Sequence, residues 1–262
     1  MAAGAGACHF CSVDSSLAIC LLTALLSGCA QPTAPPTRVL FVGNSFTYVN
    51  DLPHLFATLA EAGHHPVVVD MAAPSGWTLA EHAASPETRA KITGSPWNYV
   101  VLQEQSLMPA VPAARTGYMY PAVRTLTQLI RARGSEPVLF LTWGRRDGSD
   151  EAGYADFHTM QAALTAGYLS IADELDLRVA PAGAAWQLAV AQHPSVPLWD
   201  GDGSHPALAG SYLTACVLYA TLFHMSPEGL PAPDGIAGDF ARRLQGLAGQ
   251  AVFNEAARWH LH

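Results

Sequence analysis

From residue 38 onward the chain repeats one rhythm: a short unbroken apolar run, a polar turn, then a longer stretch with helical spacing. The apolar runs are Arg38–Val42, Pro66–Asp70, Tyr99–Gln103, Pro137–Thr142 and Leu177–Ala180. They lack polar alternation, as expected for strands covered on both faces. Helical spacing fills Pro53–Ala62, Thr78–Ala83, Ala113–Arg133, Ala152–Leu175, Ala182–Ala191 and Ala207–Phe223, and a last amphipathic stretch runs from Ile236 to about Trp259. Strands alternating with helices predict an α/β fold: a three-layer α/β/α sandwich around a five-stranded parallel sheet. No internal repeat interrupts this body, so 38–262 reads as one domain.

In an open parallel sheet, ligands bind beyond the carboxyl ends of the strands. Each of the first four strands is followed there by polar residues. The first run enters G-N-S at Gly43–Ser45, and A-P-S-G-W (73–77) follows the second. Q-E-Q-S (103–106) ends the third, and T-W-G-R-R-D (142–147) ends the fourth. Far along the chain stands D-G-D-G-S-H-P (200–206), which puts Asp202 and His205 three residues apart on one loop. Histidine is the side chain whose ordinary titration lies nearest neutrality. A preceding carboxylate can hold its tautomer so that the other ring nitrogen faces a hydroxyl. Ser45, His205 and Asp202 therefore form a candidate nucleophile, base and orienting acid. Read as packing alone, Ser45 caps a helix and Asp202 with Ser204 caps the next one, which Pro206 would start.

Other chemistries find little footing. The fifth position of a G-x-S-x-G elbow is Thr47, which disfavours an α/β-hydrolase. D-x-D-x-S resembles the start of a calcium loop, but His205 occupies the position that needs glycine. Lys91 is the single lysine and has no S-x-x-K around it. His64–His65 has no third ligand at useful spacing, and no phosphate-binding glycine loop is present, so neither a metal nor a nucleotide cofactor is expected. His82 reads as a packed or surface histidine, and Glu104 as structural.

G-N-S early, Gly76 after the second strand and Asp-x-x-His late together resemble the SGNH (GDSL-like) hydrolases, over residues 39 to about 223. The resemblance implies a flavodoxin-like fold, Ser45 as nucleophile, His205 as base and Asp202 as its partner. The backbone N–H groups of Ser45 and Gly76 would be oxyanion donors. The family usually shows G-D-S and a later G-x-N-D; here the first reads G-N-S and the second is absent. V-V-L-Q-E-Q-S resembles instead a branch with Gln in that region, which includes carbohydrate acetylesterases. A Gln amide would then complete the oxyanion hole. Gln103 and Gln105 share a strand face, so pattern leaves both open, with Gln103 nearer the strand end. Asn44, Trp143 and Arg145 are candidate substrate contacts. The implied activity is ester hydrolysis through an acyl-enzyme, on an O-acetylated carbohydrate above other esters and with no cofactor. The rival reading is a non-catalytic carbohydrate-binding lipoprotein on the same scaffold.

Composition adds an address. Half of the 262 residues are apolar, 13% are charged, and the formal net charge is −8. With no basic run, nucleic acid is not an expected partner. Residues 1–37 contain no Lys or Arg, but Leu17–Leu26 is apolar and runs into L-S-G-C ending at Cys29. That order resembles a bacterial lipobox: a signal peptide over 1–29, lipidation at Cys29, then a Pro-rich tether over 30–37. A positive n-region is missing, and Asp14 stands where a cation belongs. The implied location is the cell envelope, as a monomer held to a membrane by its lipid only. Cys8, Cys11, Cys20 and Cys29 fall in the signal; Cys216 alone remains in the body, so no intrachain disulfide is possible there.

Overall fold

The computed structural model describes residues 35–261, together with Met1, Gly4, Gly6, Ala7 and His9. The expected lipobox, Cys29 and most of the tether lie outside the described residues. Five strands form one all-parallel sheet in the order β2-β1-β3-β4-β5: β1 Thr37–Val42, β2 Val67–Ala72, β3 Tyr99–Leu102, β4 Glu136–Phe140 and β5 Arg178–Ala180. Each prediction falls within one or two residues of its strand. Register runs Val42 beside Ala72 and Leu102, and Leu102 beside Leu139, so β1 to β4 finish at one edge. The inner strands are buried on both faces, which is why they carry Val, Leu and Phe without alternation.

The helices form two packed groups. α2 (Leu52–Ala62), α8 (Ala182–Gln192), α9 (Leu208–Phe223) and α10 (Gly238–Phe253) make one; α3 (Leu79–Ala84), α4 (Pro86–Gly94), α6 (Tyr120–Arg131) and α7 (Phe157–Leu175) make the other. Right-handed crossovers set the two groups on opposite faces of the sheet. Among the described residues no helix is long and apolar enough to cross a membrane. Cys216 is buried within α9, and burial pushes its thiol well up, so it is an unreactive packing residue.

Three elements differ from the sequence pattern. α4 was not expected; it has no apolar stripe, but Ser85 accepts from Thr88 N and Pro86 opens the first turn, a start signal readable from S-P-E. The stretch expected as one helix over Ala113–Arg133 is interrupted: α5 (Pro112–Ala114) leads into a π turn at Arg115–Met119 before α6. Pro121 lacks an N–H and crowds the carbonyl four residues back, and the wider turn relieves that clash. α7 starts at Phe157 rather than Ala152, because Asp156 caps it through Thr159 N at 2.8 Å.

Candidate active site

The first strand delivers its turn at the carboxyl edge of the sheet. Asn44 caps α1 (Ser45–Tyr48) by accepting from Phe46 N, which leaves Ser45 at the first helical position with its hydroxyl outward. Gly43 is required by close approach: a Cβ there would strike Gln103 Oε1 and Thr47 Oγ1. Gly76 is required by its backbone, which sits at φ +72 on an open loop.

The second segment arrives from 160 residues away. Trp199 and Pro206 form a short antiparallel bridge, and Asp200 N donates to His205 O at 2.8 Å, closing a tight loop around Asp202. Pro206 belongs to this bridge; the helix that it was expected to start begins at Leu208. Asn50, just past α1, ties the segments together by donating to Pro206 O at 2.9 Å and Ser211 Oγ at 3.0 Å. Phe46 meets the His205 ring edge-on and stacks on Trp143, which stacks on Trp186.

These constraints bring the three predicted residues into line. His205 Nε2 lies 2.8 Å from Ser45 Oγ, and His205 Nδ1 lies 2.5 Å from Asp202 Oδ2. Asp202 Oδ1 accepts from the backbone N–H of Ser204 at 2.8 Å and of His205 at 2.9 Å. The bond to His205 is the main force holding the Asp202 carboxyl down at about 2, so it is ionised at any ordinary assay pH. A cleft of about 240 Å³ opens over Ser45, lined by Asn44, Gly76, Gln105, Arg145 and His205 among others. The backbone N–H groups of Ser45 and Gly76 donate to no protein acceptor among the described residues. A larger groove of about 540 Å³ along Pro194–Trp199 contains none of the three.

Two expected contacts take other places. Trp143 is not a cleft residue: it is 1% exposed, its indole N–H donates to Ser204 O at 3.0 Å, and its faces are covered by Phe46 and Trp186. It props the His205 loop from beneath. Gln103 is fully buried, and its amide is spent on the turn. Its Oε1 accepts from Asn44 N and Thr47 Oγ1; its Nε2 donates to Asn44 Oδ1 and Glu104 O. Gln105 does reach the cleft. Its Oε1 accepts from Leu107 N at 2.8 Å, which turns the amide nitrogen away from that loop. Asn44 lines the cleft and also braces it, donating to Trp77 O at 2.8 Å. Arg145 lies on the rim.

Sequence reasoning missed the brace beneath the turn. His82 is fully buried, with Nε2 2.7 Å from Gly43 O and Nδ1 3.0 Å from Thr88 Oγ1. Burial lowers its pKa, so the neutral ring donates to Gly43 O and accepts from Thr88. Only its place in the capped α3, facing the sheet, hinted at this. Glu104 is the second hidden brace. Its Oε1 accepts from Leu79 N at 3.0 Å and Gln105 N at 2.7 Å, which joins the loops after β2 and β3. Its Oε2 is buried with no hydrogen-bond partner among the described residues, and burial pushes the carboxyl up to about 7. A folded-state pKa above the unfolded value means the folded chain holds a proton that the unfolded chain has lost. Stability from this group is complete below the ordinary Glu range and falls as pH rises through about 7. A rise from 4.5 to about 7 is worth roughly 3 kcal/mol. Glu104→Gln is expected to melt higher than the unmutated chain at pH ~8 and to flatten its loss of stability from pH ~5 upward. Parallel melting curves across that range count against a titrating Glu104.

The sequence matches no family model and no curated protein sequence. Solved structures do match. A DUF4886 family protein from Bacteroides uniformis aligns at 19% identity over 83% of this chain and 95% of its own, with a TM-score of 0.69. A protein from Slackia heliotrinireducens, proposed to be an SGNH hydrolase, aligns at 29% identity over 72% of this chain and 100% of its own, with a TM-score of 0.62. An acetylxylan esterase from Geobacillus stearothermophilus aligns at 15% identity over 74% and 95%, with a TM-score of 0.52. The five-stranded parallel sheet and its helices thus have the SGNH hydrolase fold.

Proposed function

We propose that this chain is a serine esterase that removes short acyl groups, O-acetyl above others, from carbohydrate through an acyl-enzyme. The observation that carries the reading is the unbroken line Ser45–His205–Asp202 at the carboxyl edge of the sheet. His205 takes the hydroxyl proton as Ser45 Oγ attacks the ester carbonyl; the C–O bond to the alcohol then breaks, and His205 returns the proton to that leaving oxygen. Water, deprotonated by the same ring, attacks the acyl-enzyme and frees the acid and Ser45. The uncommitted N–H groups of Ser45 and Gly76 supply an oxyanion pocket. The small cleft with polar walls suits a short acyl group. The carbohydrate half of the reading leans on the acetylxylan esterase of the same fold.

The test is a fluorophosphonate probe beside an acetyl ester assay. Ser45 is expected to be labelled, with no label on Ser45→Ala. A folded chain that takes no label and hydrolyses no acetyl ester would instead be a binding protein.

In this scheme Gln105 supplies the third oxyanion donor, since both Gln103 N–H bonds are already made. Gln105→Glu keeps an acceptor for Leu107 N but replaces the donor with a carboxylate oxygen. It is expected to lower kcat by roughly 10²–10³-fold. Turnover near the unmutated level removes Gln105 from the hole.

We also propose that the protein is exported and lipidated at Cys29, on the strength of L-S-G-C after an apolar run. Metabolic labelling of the full chain with a fatty-acid probe, lost in Cys29→Ala, is the expected outcome; equal labelling of both refutes lipidation there.

A further inference from the structure

Arg145 is a cation with nothing to hold. It lies at the rim of the cleft over Ser45 and also lines a neighbouring hollow of about 300 Å³. Its backbone is fixed, with Arg145 N against Met160 Sδ at 3.4 Å. Its guanidinium makes no hydrogen bond, ion pair or ring contact among the described residues, although its Nε is buried. Two other arginines have buried Nε atoms: Arg178 pairs with Glu136, and the cation of Arg38, whose Nε also lacks a hydrogen bond, lies over Trp97. The next residue, Arg146, takes Asp147. A half-buried guanidinium with no protein partner among the described residues, on the wall of the cleft that holds Ser45, is free to take an anionic ligand.

We infer that Arg145 recognises a small oxyanion group, carboxylate or phosphate, on the alcohol half of the ester. This deepens the esterase reading and rests on it. The half is assigned by chemistry. His205 must protonate the leaving oxygen, so the alcohol lies on the side of the His205 loop. Arg145 carries the wall on that side into the next hollow, which Asp202 and Gly203 also line. That hollow is acidic: Asp147 and Asp202 are paired to Arg146 and His205, while Asp150 and Glu151 make no ion pair among the described residues. A second negative group reaching into it is repelled. The site therefore favours one anionic group close to the ester over a polyanionic chain. Arg presents a planar fork that matches a carboxylate or phosphate edge, which Lys does not.

The experiment compares acetylated phenols that carry or lack an anion at the same ring position. 3-Acetoxybenzoate and 3-acetoxyphenyl phosphate carry the anion; 3-acetoxybenzamide is the neutral counterpart. The readout is the ratio of kcat/KM for charged over neutral ester within each variant, so a general loss of turnover leaves it unchanged. The unmutated chain is expected to favour a charged ester by roughly ten- to a hundredfold, less so at high salt. Which anion gains more separates carboxylate from phosphate. Arg145→Gln should bring the ratio to one or below, and Arg145→Lys should keep part of it. A ratio near one in the unmutated chain, a ratio unmoved by Arg145→Gln, or a preference confined to esters charged on the acyl half overturns the inference. Calorimetry on Ser45→Ala reads the same preference without turnover, using 3-hydroxybenzoate against 3-hydroxybenzamide. Equal affinity there overturns the inference, whereas absent labelling and turnover with anion binding intact would sink the esterase reading, and with it the assignment to an ester's alcohol half, while leaving Arg145 as an anion site.

Discussion

Ser45→Ala is expected to lower kcat on an acetyl ester by roughly 10⁴–10⁶-fold, with the fold intact. The loss is large because no other hydroxyl among the described residues is in line: His205 Nε2 has Ser45 Oγ as its hydrogen-bond partner at 2.8 Å. The fold should survive because the turn is held by its neighbours. Asn44 caps α1, Gln103 makes four hydrogen bonds beneath it, and His82 holds Gly43 O. None of these uses the Ser45 hydroxyl. Circular dichroism and melting temperature should therefore match the unmutated chain while turnover collapses. A variant that keeps more than about a hundredth of the activity places the nucleophile elsewhere, because residual catalysis from oxyanion binding alone is far smaller.

Asp202→Asn should cost nearly as much, roughly 10⁴-fold in kcat, through a tautomer rather than a lost contact. Oδ1 of Asp202 is committed to the backbone N–H of Ser204 and His205. An asparagine keeps that oxygen in place, so its NH₂ must face His205 Nδ1, where Asp202 Oδ2 now stands at 2.5 Å. A donor there forces Nδ1 to be the acceptor and puts the ring proton on Nε2, facing Ser45. The imidazole can then no longer accept the hydroxyl proton. Nitrogen NMR of the His205 ring would report the switched tautomer directly. An unchanged tautomer with normal turnover would show that Asp202 does not orient the base.

Both predictions concern residues that stand out in the sequence, and for a physical reason. Ser45 follows an unbroken apolar strand, and His205 follows a carboxylate at a spacing that lets the side chain fold back. Local chain geometry sets such features, so they are legible without knowing what lies across the molecule. The five strands were legible for the same reason: burial on both faces leaves a continuous apolar run. α4 was missed because it is a surface helix held by its cap rather than by an apolar face. The break at Arg115–Met119 was missed because periodicity does not register a locally widened turn.

The roles of Gln103, Gln105, His82 and Trp143 could not be divided in that way. Gln103 and Gln105 occupy one strand face by alternation, yet the strand ends at Leu102 and the chain turns between them. One amide is thereby drawn under the β1 turn and the other left on the cleft. Trp143 follows a strand as cleft residues do, but Phe46 and Trp186, far away in sequence, close over both its faces. By itself, then, the sequence determined the sheet, the edge at which its polar loops gather and the serine, imidazole and carboxylate that are candidates there, since each rests on neighbours within a few residues. Only the tertiary structure decided which polar side chains face the cleft and which brace it, because a hydrogen-bonding group is assigned by whichever partners distant segments bring within reach.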